Sequence, residues 1–180
     1  MTDNLLIGPD AQARFALQML RAHDGKGTIA GEITTLAEGS FLSVDPEGQV
    51  KGSFKSSRKD VVSLKMTAPR SSPPRWQALH VVMGAADLTD AAAVGLMART
   101  RAPQALATRV CLRSGRDGQM LDSFLDKQIV SYSEPSTHLD LLDLSRRTEI
   151  PRRADWREMI LFFRPGPVEI DILDLRLFIV

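Results

Sequence analysis

Ala92-Ala93-Val94-Gly95-Leu96-Met97-Ala98-Arg99-Thr100-Arg101, a break at Pro103, then Leu106-Ala107-Thr108-Arg109-Val110-Cys111-Leu112-Arg113: this stretch decides the fold. Val94, Leu96 and Ala98 alternate with Gly95, Met97 and Arg99, and Leu106, Thr108, Val110 and Leu112 alternate with Ala107, Arg109, Cys111 and Arg113. A period of two is the signature of strands buried on one face. Working outward, Trp76–Met83 alternates in the same way, with Trp76, Ala78, His80 and Val82 on one side. Upstream, Thr28–Leu36, Phe41–Val44, Val50–Phe54 and Val61–Met66 read as strands, separated by Gly39-Ser40 and by the turn tetrad Asp45-Pro46-Glu47-Gly48. The prolines of Ala68–Pro74 fix φ and remove donors, which makes that segment a loop crossing between sheets.

Downstream, Ser114–Gly118 reads as a loop, followed by short runs around Phe124 and Ile129–Tyr132 and a strand over Thr137–Leu144. Trp156–Phe163 and Val168–Val180 close the chain around Arg164-Pro165-Gly166-Pro167. The apolar phase of the last strand slips once near Asp171–Asp174, as a β-bulge would make it do. Only Ala11–Ala22 has helical spacing, with Asp10 as its cap, Phe15, Leu17 (or Ala16), Met19 and Leu20 as its apolar face, and glycines beyond His23 to stop it. The expected fold is all-β: an antiparallel β-sandwich over residues 28–180, with a short N-terminal helical extension over residues 1–27.

The 180 residues carry 23 Lys+Arg against 22 Asp+Glu, a net charge of +1, which excludes a strongly basic nucleic-acid binder. No apolar run is long enough to span a membrane, and the first residues lack the positive charge and long apolar run of a signal peptide. With a single cysteine, Cys111, no internal disulfide is available, so a reducing, cytoplasmic setting is expected. His23, His80 and His138 fall in three separate elements without metal-ligand spacing, no phosphate- or dinucleotide-binding glycine motif occurs, and no metal or cofactor is expected.

Asp155-Trp156-Arg157-Glu158-Met159-Ile160-Leu161-Phe162-Phe163 and Glu169-Ile170-Asp171-Ile172-Leu173-Asp174-Leu175-Arg176-Leu177-Phe178 together resemble the closing strand pair of jelly-roll carbohydrate-binding modules, which belong with the galactose-binding-domain-like sandwiches. Leu88–Arg101 is similar to their central strand, and Asn4-Leu5-Leu6 to their opening. The resemblance implies a jelly roll that binds an oligosaccharide or polysaccharide without catalysis, on a sheet face or at loop tips.

Candidate ligand-binding residues come from charge and strand phase. Between Asp60 and Asp117 the only acids are Asp87 and Asp90, against eight Lys and Arg. Were the two strands that opened this reading neighbours in one sheet, Arg99, Arg101, Arg109 and Arg113 would share its outer face. Guanidinium forks there suit an acidic glycan, set against the plainer reading of a solvated sheet face balanced by acids elsewhere. Trp76 and His80, on one face of a strand, join them as a stacking ring and a hydroxyl partner, although tryptophan most often anchors cores, and Trp156 is expected inside. Two other functions fit the same residues. One is a protein-interaction or scaffold domain of a glycan-synthesis pathway, with a protein partner or a homo-oligomer. The other is a small lyase-like enzyme in which Arg99 and Arg109 neutralise a carboxylate while His80 or Tyr132 acts as base.

Overall fold

The structure, a computed structural model, describes residues 8–180, so Asn4-Leu5-Leu6 lies outside the described residues. One helix, α1 (Ala11–Ala22), precedes twelve strands: β1 (Gly25–Ile29), β2 (Ile33–Ala37), β3 (Ser40–Val44), β4 (Lys51–Ser56), β5 (Val62–Thr67), β6 (Gln77–Gly84), β7 (Ala93–Arg101), β8 (Leu106–Arg116), β9 (Gln119–Ser131), β10 (Ser136–Asp143), β11 (Trp156–Phe163) and β12 (Val168–Ile179). They form two antiparallel six-stranded sheets, ordered β1-β4-β5-β12-β7-β10 and β2-β3-β6-β11-β8-β9. Val94, Leu96 and Ala98 of the first sheet and Leu79, Val81, Val110, Leu112, Met159 and Leu161 of the second meet in one core. Each fully buried aliphatic side chain there contributes about 1.5–3 kcal/mol. No helix among the described residues is long and apolar enough to cross a membrane.

The alternation predicted for the two opening strands holds, and Ala68–Pro74 does cross from β5 of one sheet to β6 of the other. The bulge in β12 is real: its register against β7 shifts between Ile172 and Asp174. Elsewhere the chain departs from the reading. Thr28–Leu36 is two strands in different sheets, β1 and β2, with Gly31 at φ 79° between them, a left-handed value that favours glycine. Ser114–Gly118 is not a loop; β8 runs on to Arg116, and Asp117 (φ 51°) with Gly118 (φ 74°) makes a two-residue hairpin turn into β9.

Helix α1 has the predicted ends but a rotated face. It buries Ala13, Ala16, Leu17 and Leu20, while Phe15 stays 41% exposed. Small alanines allow close approach to the sheet: a Cβ on Gly39 would come within 2.7 Å of Ala16 Cβ. Asp10 occupies the cap position without a side-chain cap bond and pairs with Arg14 at 3.4 Å instead. The helix packs on β6 and β12, and its buried residues join the core of the sandwich.

Candidate functional site

The outer face of the β2-β3-β6-β11-β8-β9 sheet is unlike a plain solvated surface. Strand register arranges it in cross-strand rows. One row runs Ser43, Ala78, Phe162, Arg109, Gln128, and the next runs Phe41, His80, Ile160, Cys111, Phe124. A third holds Glu158, Arg113 and Asp122, and beyond it Trp156 faces Gly115. Ala78, Cys111 and Ile160 are completely buried, forming a small apolar floor on which Phe124 and Phe162 pack with their rings 5.9 Å apart. Burial pushes the Cys111 thiol up to about 12, which keeps it a protonated packing group at neutral pH.

Polar groups stand around that floor in fixed positions. His80 is only 5% exposed, with Phe41 stacked on its ring at 4.5 Å. Its Nδ1 lies 2.8 Å from Glu158 Oε2, and its Nε2 lies 2.8 Å from Ser43 Oγ. Arg113 donates to both Asp122 oxygens at 2.6 and 2.7 Å. That fork lowers the Asp122 carboxyl and raises the Arg113 guanidinium from their usual values. Arg109 makes no ion pair among the described residues; its Cζ sits 3.8 Å over the Phe124 ring. Trp76, half-buried just before β6, has the Arg75 guanidinium 5.1 Å from its ring centroid. Trp76, Arg109, Phe124 and Phe162 border a cleft of about 400 Å³ at this end of the face.

Four of the candidates read from the sequence, Trp76, His80, Arg109 and Arg113, therefore share one face, and Arg99 and Arg101 do not. The premise that joined all four arginines fails because β7 and β8 belong to opposite sheets. Consecutive strands that each turn an apolar side to the same core from opposite sides must point their polar sides apart. Arg101 pairs with Asp171 at 2.6 Å on the far side of the sandwich, and Arg99 is exposed on that same side. With Arg99 and Arg109 on opposite faces, a lyase using both at one carboxylate has no site. Trp156 is also not core; it is 37% exposed and lies against Gly115 on the face just described.

Phe41, Ser43, Phe124, Phe162 and Glu158 were missed by sequence reasoning. Alternation along each strand marked the outward positions of β8 and β6, but only the register between strands shows which of them meet. A usable signal existed in β11, where Trp156, Glu158, Ile160 and Phe162 share one parity.

No family model and no curated protein sequence matches the chain. Solved structures do. The CBM22-1 xylan-binding domain of Paenibacillus barcinonensis Xyn10C aligns over 87% of this chain and 96% of its own, with 8% identity and a TM-score of 0.51. The family 30 carbohydrate-binding module of the cellulosomal cellulase Cel9D-Cel44B of Clostridium thermocellum aligns over 86% and 90%, with 10% identity and a TM-score of 0.50. A second family 30 structure aligns over 86% and 83%, with 11% identity and a TM-score of 0.51. At such identities the likeness concerns the path of the backbone, and by that path the chain is a jelly-roll β-sandwich of the kind found in carbohydrate-binding modules.

Proposed function

We propose that this chain binds carbohydrate on the outer face of the β2-β3-β6-β11-β8-β9 sheet. One observation carries the reading: that face combines an apolar floor and partly exposed rings of Phe41, Phe124, Phe162 and Trp76 with hydrogen-bonding groups already held in place. Sugar rings present apolar C–H faces and a rim of hydroxyls, and such a surface meets both. The three solved structures named above are carbohydrate-binding modules by name, one of them xylan-binding, which supports the reading.

In this reading Trp76 and Phe124 stack on sugar rings, while Ser43 and Glu158, both held by the buried His80, and the Arg113–Asp122 pair meet hydroxyls. Arg109 is the group that favours an acidic glycan, since its charge has no carboxylate of its own among the described residues. Calorimetric titration with neutral and uronate-containing oligosaccharides tests it. Binding is expected, with Trp76→Ala and Phe124→Ala each weakening it roughly tenfold, the equivalent of about 1.4 kcal/mol. Heat from neither class of oligosaccharide would overturn the proposal.

A further inference from the structure

On the same face, we propose that Ser43, His80 and Glu158 form an acyl-transfer relay, with Ser43 as nucleophile, His80 as general base and Glu158 orienting His80. Ser43 Oγ is 2.8 Å from His80 Nε2, and His80 Nδ1 is 2.8 Å from Glu158 Oε2. A carboxylate only accepts hydrogen bonds, so the contact with Glu158 puts the ring proton on Nδ1. Nε2 is then the acceptor, and the Ser43 hydroxyl donates to it. This is the connectivity and the tautomer of a serine nucleophile with its base, which is recognised by geometry and roles rather than by sequence order.

The arrangement is a product of register. Ser43 pairs across the ladder with Ala78, Phe41 with His80, and Glu158 with Val82, so the three side chains step diagonally across adjacent strands β3, β6 and β11. His80 is locked by burial and by the stacked Phe41, whereas Ser43 is half-exposed and reachable. Opposite Ser43 stands the completely buried Ala78, with Phe162 next in the row, so the ground beside the hydroxyl is apolar.

The substrate class is an ester of a small carboxylic acid; where the face holds a glycan, as proposed above, an O-acyl substituent is the ester it would meet. Ser43 Oγ bonds to the acyl carbon as its proton passes to His80 Nε2, while Glu158 stabilises the imidazolium. The ester C–O bond breaks, and the leaving alcohol takes the proton from His80. Water, giving a proton to His80, then releases the acid and restores the serine. β3 is hydrogen-bonded on both sides, to β2 and β6, so its amides are engaged in the ladders and not grouped as an oxyanion hole. Turnover is therefore expected to be slow, with the acyl-serine persisting.

Two probes test this on the full chain, p-nitrophenyl acetate and a serine-directed fluorophosphonate, with intact-mass and peptide mapping. Expected are a burst approaching one equivalent of p-nitrophenolate and a single adduct on Ser43. Ser43→Ala abolishes both, and His80→Gln slows acylation about a hundredfold, in the range of general-base contributions. Glu158→Gln falls in between. Ser43→Ala removes one exposed-face oxygen and keeps the fold, and Ser43→Cys takes the acetyl group of p-nitrophenyl acetate onto a thiol, so neither depends on a buried variant folding. Absence of an adduct, an adduct elsewhere, or labelling unchanged by His80→Gln overturns the relay. Sugar binding without labelling sinks only the relay, and labelling without sugar binding sinks only the carbohydrate reading.

Discussion

Asp45 follows β3 with its side chain 2% exposed, yet four donors reach it: Arg75 Nε at 2.9 Å, Arg75 Nη2 at 3.0 Å, and the backbone N–H groups of Arg75 at 2.8 Å and Glu47 at 3.1 Å. The Arg75 fork, assisted by those two amides, outweighs burial and holds the Asp45 carboxyl well below the usual carboxylate range. A carboxylate depressed in the folded state contributes stability that is complete above its unfolded pKa, about 4. That contribution is lost as pH falls toward the folded value. The urea midpoint of the natural chain is therefore expected to drop between about pH 4 and pH 2. Asp45→Asn should start lower at pH 7 and fall less over the same interval; parallel curves for the two proteins would show that Asp45 is not a source of the acid sensitivity. The pair also matters for the site, since it anchors the guanidinium that lies over Trp76. In sequence the tetrad Asp45–Gly48 announced a turn, and a turn is what forms, a 3-10 turn with Asp45 as its cap. Its partner thirty residues on could not be read, because pairing across a loop leaves no local period.

Strand β11 shows how far alternation carries an element and where it stops. Trp156-Arg157-Glu158-Met159-Ile160-Leu161-Phe162-Phe163 has apolar residues in both parities, so either face could have been the inner one. Residue preference favours Trp inside and Arg outside. The chain does the reverse. Arg157 is completely buried, donating to Ala85 O at 3.2 Å, Ala86 O at 3.0 Å, Ser114 Oγ at 2.5 Å, Pro151 O at 2.5 Å and Arg152 O at 3.1 Å. Burial pulls its guanidinium down to about 10, still charged at neutral pH. Four of those acceptors are loop carbonyls and the fifth is the Ser114 hydroxyl of β8, and that ring of acceptors is why an arginine fits an inward position there. The same phase sends Trp156 outward onto Gly115, where an added Cβ would come within 2.1 Å of Trp156 Cε2. Gly115→Ala should therefore cost about 1–3 kcal/mol, the usual range for overpacking. In a Trp156→Ala background the same change should cost almost nothing. Urea unfolding of the four proteins of this cycle measures the coupling, and equal costs in both backgrounds would mean that the ring is not what excludes the methyl. The outward parity of β11 carries Glu158 and Phe162 as well, so a misjudged phase in one strand hid much of the candidate site.

At the scale of the whole molecule, the near-neutral total charge conceals two outer faces with different chemistry. On the β1-β4-β5-β12-β7-β10 sheet three cations are met locally, Arg101 by Asp171 at 2.6 Å, Lys65 by Glu169 at 3.3 Å and Arg176 by Asp174 at 2.9 Å, while Lys26, Lys51, Lys55 and Arg99 make no ion pair among the described residues. On the opposite sheet Arg113 is neutralised by Asp122, and Arg109 is left over an aromatic ring. The fold class was legible because period-two alternation and short turns report burial residue by residue. The assignment of strands to sheets was not, because the four residues Ala102–Ala105 serve a hairpin and a crossing between sheets equally well. That one ambiguity turned two separate arginine pairs into a single imagined cluster, and it sets up the sharpest test of the site. Arg109→Ala should weaken binding of a uronate-containing oligosaccharide roughly tenfold, about 1.4 kcal/mol, and barely alter a neutral one. Its effect should shrink as salt is raised toward 1 M, where the screening length falls to about 3 Å. Arg99→Ala, on the far face, should change neither affinity. If instead Arg99→Ala weakens binding as much as Arg109→Ala, the ligand does not sit on the β8–β11 face, because no single site reaches both side chains through the thickness of the sandwich.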